Sequence, residues 1–463
     1  MRRALQAALC AAAALTALGT PAHAQLRSYA DPGSVRTIDR GSCDSVALSR
    51  DPEAELKAAL GAHLRLAAGM IVKFRFGEFM PPATVPGAAP GGAEVAARLR
   101  ALGGARTAAL IYAADPVRQQ RCIWLLDAGG LVAHAAAPTD EFVVAGHPGE
   151  ADAPGAPQAA AAHASGRYLR GFLDGPAPNP AAWRAALAEA ARYVLPPALG
   201  DVSRYERLLI LPIGSLSDFP FAAIDVGGAP LGLKTAIVQL TDVNDLLRVA
   251  PFRLADVVSG AALVVGNPRY APHPAFGAPS DLPRAADEAR AVAASFPRAS
   301  LLLGAEATKP AVLHAAAGAS YLHFATHGLA DGENPQDGSV LALAGGYITA
   351  RQIAGLDLRA KRPLVVMSAC QTGLGKNFPN GVFGLARSWL YAGAGQVVMS
   401  QWNVNDASTG ALMTAFARAL QSEPRPEYAL RRAFLAASGQ EGFADPYFWA
   451  GFTVFGPPSA ALR

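Results

Sequence analysis

The spacing of apolar and polar positions changes character partway along the chain. Near the start, Asp51-Pro52 opens a stretch of helical period running toward Met70, because Asp suits the N-cap and Pro the first helical position. Pro81 to Gly92 is a Pro/Gly/Ala-rich break. Three short runs follow, TAALIYA (107–113), RCIWLLD (121–127) and LVAHAA (131–136), separated by turn signals, and they predict a β-meander. Residues 146–165, GHPGEADAPGAPQAAAAHAS, have the low complexity of a flexible loop.

From about Ala181 the period shifts. A helical stretch, AAWRAALAEAARYV, leads into the run RLLILP (207–212). After it come AALVVG (261–266), a helix around Ala285–Phe296, SLLLG (300–304), SYLHFAT (320–326), PLVVMS (363–368) and GQVVMS (395–400). These runs are short and apolar on both faces, and helical segments separate several of them. That pattern predicts an α/β fold with a mostly parallel sheet and helices on both faces. The last run, FWAGFTVFG (448–456), is expected to add an edge strand.

The first 24 residues, MRRALQAALCAAAALTALGTPAHA, have a basic start, a short apolar run and an Ala-His-Ala close. This is the layout of a signal peptide, with cleavage expected after Ala24 and a secreted or periplasmic mature protein. No later stretch reaches the ~20 apolar residues of a membrane span. The formal charge of +4 falls to +2 without Arg2 and Arg3, too little to argue for nucleic acid or an acidic membrane surface. Cleavage leaves Cys43, Cys122 and Cys370, an odd count in an oxidising compartment. One disulfide and one thiol is the economical reading. Cys43 and Cys122, both in the N-terminal third, are the expected pair. Three unpaired buried thiols is the alternative.

Two predicted strands end in chemically useful residues. YLHFATHG ends at His327-Gly328, and VVMSACQTG ends at Cys370. In a parallel sheet the crevice lies at the carboxyl ends of the strands. If these strands are neighbours, the imidazole can take the thiol proton and generate a nucleophile. The N–H groups of Gly328 and Cys370 could then face a developing oxyanion. The alternative is a small core cysteine and a structural histidine. His323 lies inside its strand, about 13 Å from His327 at strand rise, and is expected to be structural. No H-E-x-x-H, paired C-x-x-C, P-loop or G-x-S-x-G occurs, so a metal site has no support from the motifs.

HFATHG followed about forty residues later by SACQTG resembles the CHAT domain, a caspase-like module often found beside TPR repeats. LILPIGSLSDFPFAAI (209–224), LPRAADEARAV (282–292), LLLGAEATKPAVL (301–313), GVFGLARSWLYAGAGQVVMSQWNVND (381–406) and PYFWAGFTVFG (446–456) resemble further segments of that family. The resemblance runs from about Ala96 to the end. It implies a caspase-like, separase-like cysteine peptidase fold behind a small α+β N-terminal region. The expected organisation is a signal peptide (1–24), a helical or irregular region (25–95) and a CHAT domain (96–463). The last divides into the meander (96–145), the loop (146–165) and the catalytic core (181–463).

Carried onto this chain, the family pattern makes Cys370 the nucleophile, His327 the general base and acid, and Gly328 an oxyanion donor, and it implies that no metal or organic cofactor is needed. Two departures stand out. FPNG carries Asn380 where an acidic residue is usual, and the early turn reads Pro-Ile-Gly, with Ile213, where Pro-Asp-Gly is usual. In the separase-like branch an acidic residue just past Trp-x-Val is the candidate for the primary specificity pocket. In QWNVND (401–406) that is Asp406, whose carboxylate would select Arg or Lys. The plainer role for Asp406 is to cap a helix at 408–413. The expected function is an exported cysteine endopeptidase acting on polypeptides, with a possible regulatory partner protein. The rivals are a non-catalytic peptide-binding relative and another thiol hydrolase or acyltransferase.

Overall fold

A computed structural model describes residues 51–76, 89–103, 106–115, 120–138, 169, 179–247, 254–273, 277–329, 336–368, 380–402 and 406–460. The predicted signal segment, the 146–165 loop, Cys43 and Cys370 lie outside the described residues.

The chain opens with helices α1 (Pro52–Phe76) and α2 (Gly92–Gly103). Asp51 starts α1 as expected, its carboxylate accepting the N–H groups of Glu53 and Ala54. The meander is β1 (Thr107–Asp115), β2 (Gln120–Asp127) and β3 (Gly130–Pro138). Then follow α3 (Pro180–Val194), β4 (Arg207–Leu211), α4 (Leu231–Lys234), β5 (Ala236–Gln239), α5 (Val243–Leu247) and α6 (Leu254–Ser259). The next stretch holds β6 (Ala262–Pro268), α7 (Pro283–Ala293), β7 (Ala299–Gly304), α8 (Lys309–Ala316) and β8 (Tyr321–Ala325). A small sheet follows from β9 (Gly328–Leu329), β10 (Val340–Leu343) and β11 (Gly346–Thr349), then α9 (Ala350–Ala354). The chain closes with β12 (Leu364–Met367), α10 (Asn380–Ala392), β13 (Gln396–Ser400), α11 (Asp406–Ser422), α12 (Pro426–Ser438) and β14 (Phe452–Phe455).

Eleven strands form one sheet in the order β3-β2-β1-β4-β5-β14-β13-β12-β8-β6-β7. Antiparallel pairing occurs only within the meander and between β13 and β14; the other neighbours run parallel. The fold is therefore mixed α/β with a mostly parallel sheet, as the apolar runs imply. One face is covered by α3, α7, α11 and α12. The other is covered by α1, α2 and α5 over the N-terminal strands, and by α8, α9 and α10 over the C-terminal ones. Near-complete burial on both faces explains why the core strands lack a polar alternation.

The placement of β14 corrects one expectation. It is an interior strand between β13 and β5, with all four residues buried, not an edge. Its direction reverses the sheet: β13, β12, β8, β6 and β7 run one way, and β14, β5, β4 and β1 the other. The helix expected at 408–413 extends over the whole of α11 and begins at Asp406.

Candidate active site

β8 and β12 are direct parallel neighbours, with Phe324 beside Met367 and His323 beside Val366. β13 lies on the far side of β12, with Met367 beside Met399. The carboxyl ends of all three strands therefore open on one edge of the sheet. β8 leads into His327 within two residues, β12 leads toward Cys370, and β13 leads toward Asp406. The Cys370 backbone and the Asp406 side chain lie outside the described residues.

His327 is 1% exposed and fixed on several sides. Its Nε2 is 2.7 Å from the carbonyl oxygen of Ser280. A carbonyl can only accept, so Nε2 carries the proton, and the neutral ring has its lone pair on Nδ1. The ring of Tyr270 meets the imidazole edge-on at 4.7 Å. The backbone is held as well: Ala342 N–H donates to the His327 carbonyl at 2.8 Å, and Thr326 Oγ1 donates to the Ala342 carbonyl at 2.8 Å. With Leu341 opposite Gly328, that bond makes the two a non-hydrogen-bonded antiparallel pair. The Gly328 N–H is thus left out of the β9–β10 ladder.

His323 behaves differently. It is fully buried, with Nε2 at 2.7 Å from Glu288 Oε1 on α7 and Nδ1 at 3.1 Å from the Tyr321 hydroxyl. This histidine ties β8 to the covering helix and faces away from the crevice edge, which agrees with a structural role. Sequence reasoning did not reach Ser280, Tyr270 or Glu288. A backbone carbonyl has no sequence signature. The only local hint was Asn267-Pro268 at the end of β6, a turn signal that marks where the loop to Ser280 begins.

On the wall beyond β13, Trp402 is buried, donates from Nε1 to the Tyr447 carbonyl at 3.2 Å, and packs on Trp183 at 5.5 Å. The buried amide of Gln401 reaches Gln239 Oε1 at 3.3 Å and accepts from Thr453 Oγ1 at 3.4 Å. The segment leading to Asp406 thus starts from a fixed base. Far from the crevice, Cys122 is fully buried on β2 and disulfide-bonded, with its partner outside the described residues.

The chain resembles tetratricopeptide repeat protein 28 of Mus musculus and of Homo sapiens, each 26% identical over 56% of this chain. It spans only 12% of the length of those relatives. Among solved structures, separase in the Saccharomyces cerevisiae separase–securin complex aligns over 92% of this chain and 36% of its own, at 9% identity and a TM-score of 0.49. The Arg-specific cysteine proteinase gingipain R aligns over 60% of this chain and 68% of its own, at 14% identity and a TM-score of 0.41. The model of the CHAT domain matches residues 183–457, which takes in most of α3, β4 to β14 and every candidate crevice residue, and by that match the chain belongs to the CHAT domain family.

Proposed function

We propose that this protein is an exported cysteine endopeptidase that uses Cys370 and His327. The observation carrying the reading is the adjacency of β8 and β12 in parallel register, with His327 two residues past one strand end and Cys370 three residues past the other. The Ser280 carbonyl supports it, because it leaves Nδ1 of His327 as the basic nitrogen.

In this reading the Cys370 thiol gives its proton to Nδ1, and the thiolate attacks the scissile carbonyl. The oxyanion is met by the N–H groups of Gly328 and Cys370. Collapse of the tetrahedral adduct breaks the C–N bond, and the imidazolium returns its proton to the leaving amine. Water, deprotonated by the same histidine, then hydrolyses the acyl-enzyme. Asp406, at the start of α11 and past the anchored Trp402, is the proposed primary specificity residue and selects Arg or Lys.

The proposed pairing partner of Cys122 is Cys43. Cys370 is too far: β2 and β12 are six strand spacings apart, about 29 Å at ~4.8 Å each. Three residues beyond Met367 recover only about 10 Å, and a disulfide needs Cα atoms within about 7 Å. The thiol of Cys370 is therefore left available in an oxidising compartment. No helix among the described residues is long and apolar enough to cross a membrane. The relatives' tetratricopeptide repeats make a helical-repeat protein the proposed kind of regulatory partner.

The test is a digest of a peptide library by wild type, Cys370→Ala and His327→Ala side by side. Cleavage by wild type and its loss in both variants, with the fold intact by circular dichroism, is expected. Full cleavage by Cys370→Ala would sink the assignment.

A further inference from the structure

We propose that Asn267 is a positioning residue for His327, acting as the clasp of the loop that holds the imidazole. The proposal rests on the Cys370–His327 reading above. Asn267 sits at the end of β6, where the register with β7 shifts between Gly266 and Pro268. Its φ is 41°, in the left-handed region, which Asn tolerates better than most residues with a side chain. Pro268 follows directly and turns the chain out of the sheet.

The Asn267 side chain then bridges to the far end of the loop. Its Oδ1 accepts the N–H of Leu282 at 2.9 Å, and its Nδ2 donates to Asp281 Oδ1 at 2.9 Å. Leu282 is the N-cap of α7 and makes no side-chain cap of its own. One amide therefore joins the end of β6 to the start of α7 and closes the loop between them.

Both loop contacts to His327 lie inside that closure. Tyr270, three residues after Asn267, lies edge-on to the ring, and Ser280, next to Asp281, accepts from Nε2. The entry of the loop is braced by Arg269, whose N–H donates to the Gly304 carbonyl and whose carbonyl accepts from the Gly345 N–H, and by Tyr347, whose hydroxyl donates to the Ala271 carbonyl and whose ring meets that of His273. His273 and Gly277 exchange two backbone hydrogen bonds across the loop, and the Asn267 side chain ties the stretch beside Ser280 to the end of β6. A carbonyl held on Nε2–H stabilises the imidazolium that forms when Nδ1 takes the thiol proton. Releasing it makes the thiolate form rarer at a given pH.

The test reads thiol reactivity and does not need peptide cleavage. The rate at which iodoacetamide alkylates Cys370 is followed by mass spectrometry from pH 5 to pH 9, in wild type, His327→Ala and the loop variants. Asn267→Gly removes the side chain while accepting the positive φ. It should lower the rate at pH 7 about tenfold and raise the midpoint by about one pH unit, the two being one and the same tenfold shift of the proton equilibrium. Asn267→Asp combined with Asp281→Asn preserves an acceptor for Leu282 and reverses the second bond, so it should return the rate to within about threefold of wild type.

Thermal unfolding controls for the fold. Should Asn267→Gly fail to fold, Asp281→Ala at the exposed end of the clasp decides, with a fall of about threefold expected from loss of one hydrogen bond. A folded Asn267→Gly with the wild-type rate and midpoint overturns the clasp alone. A wild-type rate indifferent to His327→Ala overturns the dyad and the clasp together.

Discussion

Replacing His323 by Ala tests whether the two histidines of one strand are divided between architecture and chemistry. His323 is fully buried in β8, flanked by Val264 of β6 and Val366 of β12. It bridges the Tyr321 hydroxyl and the Glu288 carboxylate, and the Glu288 side chain is 2% exposed. Truncation leaves that buried carboxylate without this donor, a loss on the order of 3–5 kcal/mol for a buried pair broken from one side. The vacated ring volume adds to the cost. Against a total stability of about 5–15 kcal/mol, the variant should still fold at low temperature.

The assay is urea unfolding followed by tryptophan fluorescence, with ΔΔG taken from the midpoint shift at constant m. Activity per folded molecule is measured in parallel and should stay within about threefold, since His323 and His327 are about 13 Å apart along the strand. Replacing His323 and Glu288 by Leu together with Tyr321→Phe should recover much of the loss, because the Tyr321 hydroxyl that His323 also partners is removed with them and no group of this network is left unpaired. A loss below about 1 kcal/mol in His323→Ala, or a large fall in kcat with an unmoved midpoint, would refute the division of roles.

Three further outcomes are expected. Asp406→Asn should lower the preference for Arg or Lys at the cleavage site by about tenfold or more, about 1.4 kcal/mol, in a peptide-library digest; an unchanged preference rules out the pocket role. Mass spectrometry of the mature protein without reductant should find one free thiol, on Cys370, and a Cys43–Cys122 cross-linked peptide; three free thiols exclude it. Burial and the neighbouring carboxylate of Asp242 push Asp245 up to about 7, although its side chain accepts from both the N–H and the hydroxyl of Thr241. Because its folded value lies above the unfolded one, its stabilising contribution is lost as pH rises through about 7. Asp245→Asn should therefore raise the melting temperature at pH 8 and leave it nearly unchanged at pH 4; equal shifts at both would show that the carboxyl's charge is not the cause.

The sequence alone determined the class of fold. The runs at 207–212, 261–266, 300–304, 320–326, 363–368 and 395–400 all became strands, since a strand buried on both faces must be apolar at every position. It also placed His323 inside a strand and His327 just past its end, because one stands within the apolar run and the other after it, before a glycine. Local pattern could not say which strands are neighbours. The segment Phe452–Phe455 reads like any terminal strand, yet it lies in mid-sheet because β5 and β13 both pair with it. Strand β5 and the β10–β11 hairpin went unrecognised, being four residues each and defined by their partners.

The crevice shows the same division. The residues proposed for its chemistry, His327, Cys370 and Asp406, are visible in the sequence as residue types at strand ends. The orientation of His327 comes from the Ser280 carbonyl, a group every residue has, so no residue type marks it. The pairing of Glu288 with His323 joins a helix to a strand across 35 positions and exists only once α7 packs on the sheet. Residue type sets which groups are available for chemistry. Which of them meet is a property of long-range contacts, whose geometry only the folded chain supplies.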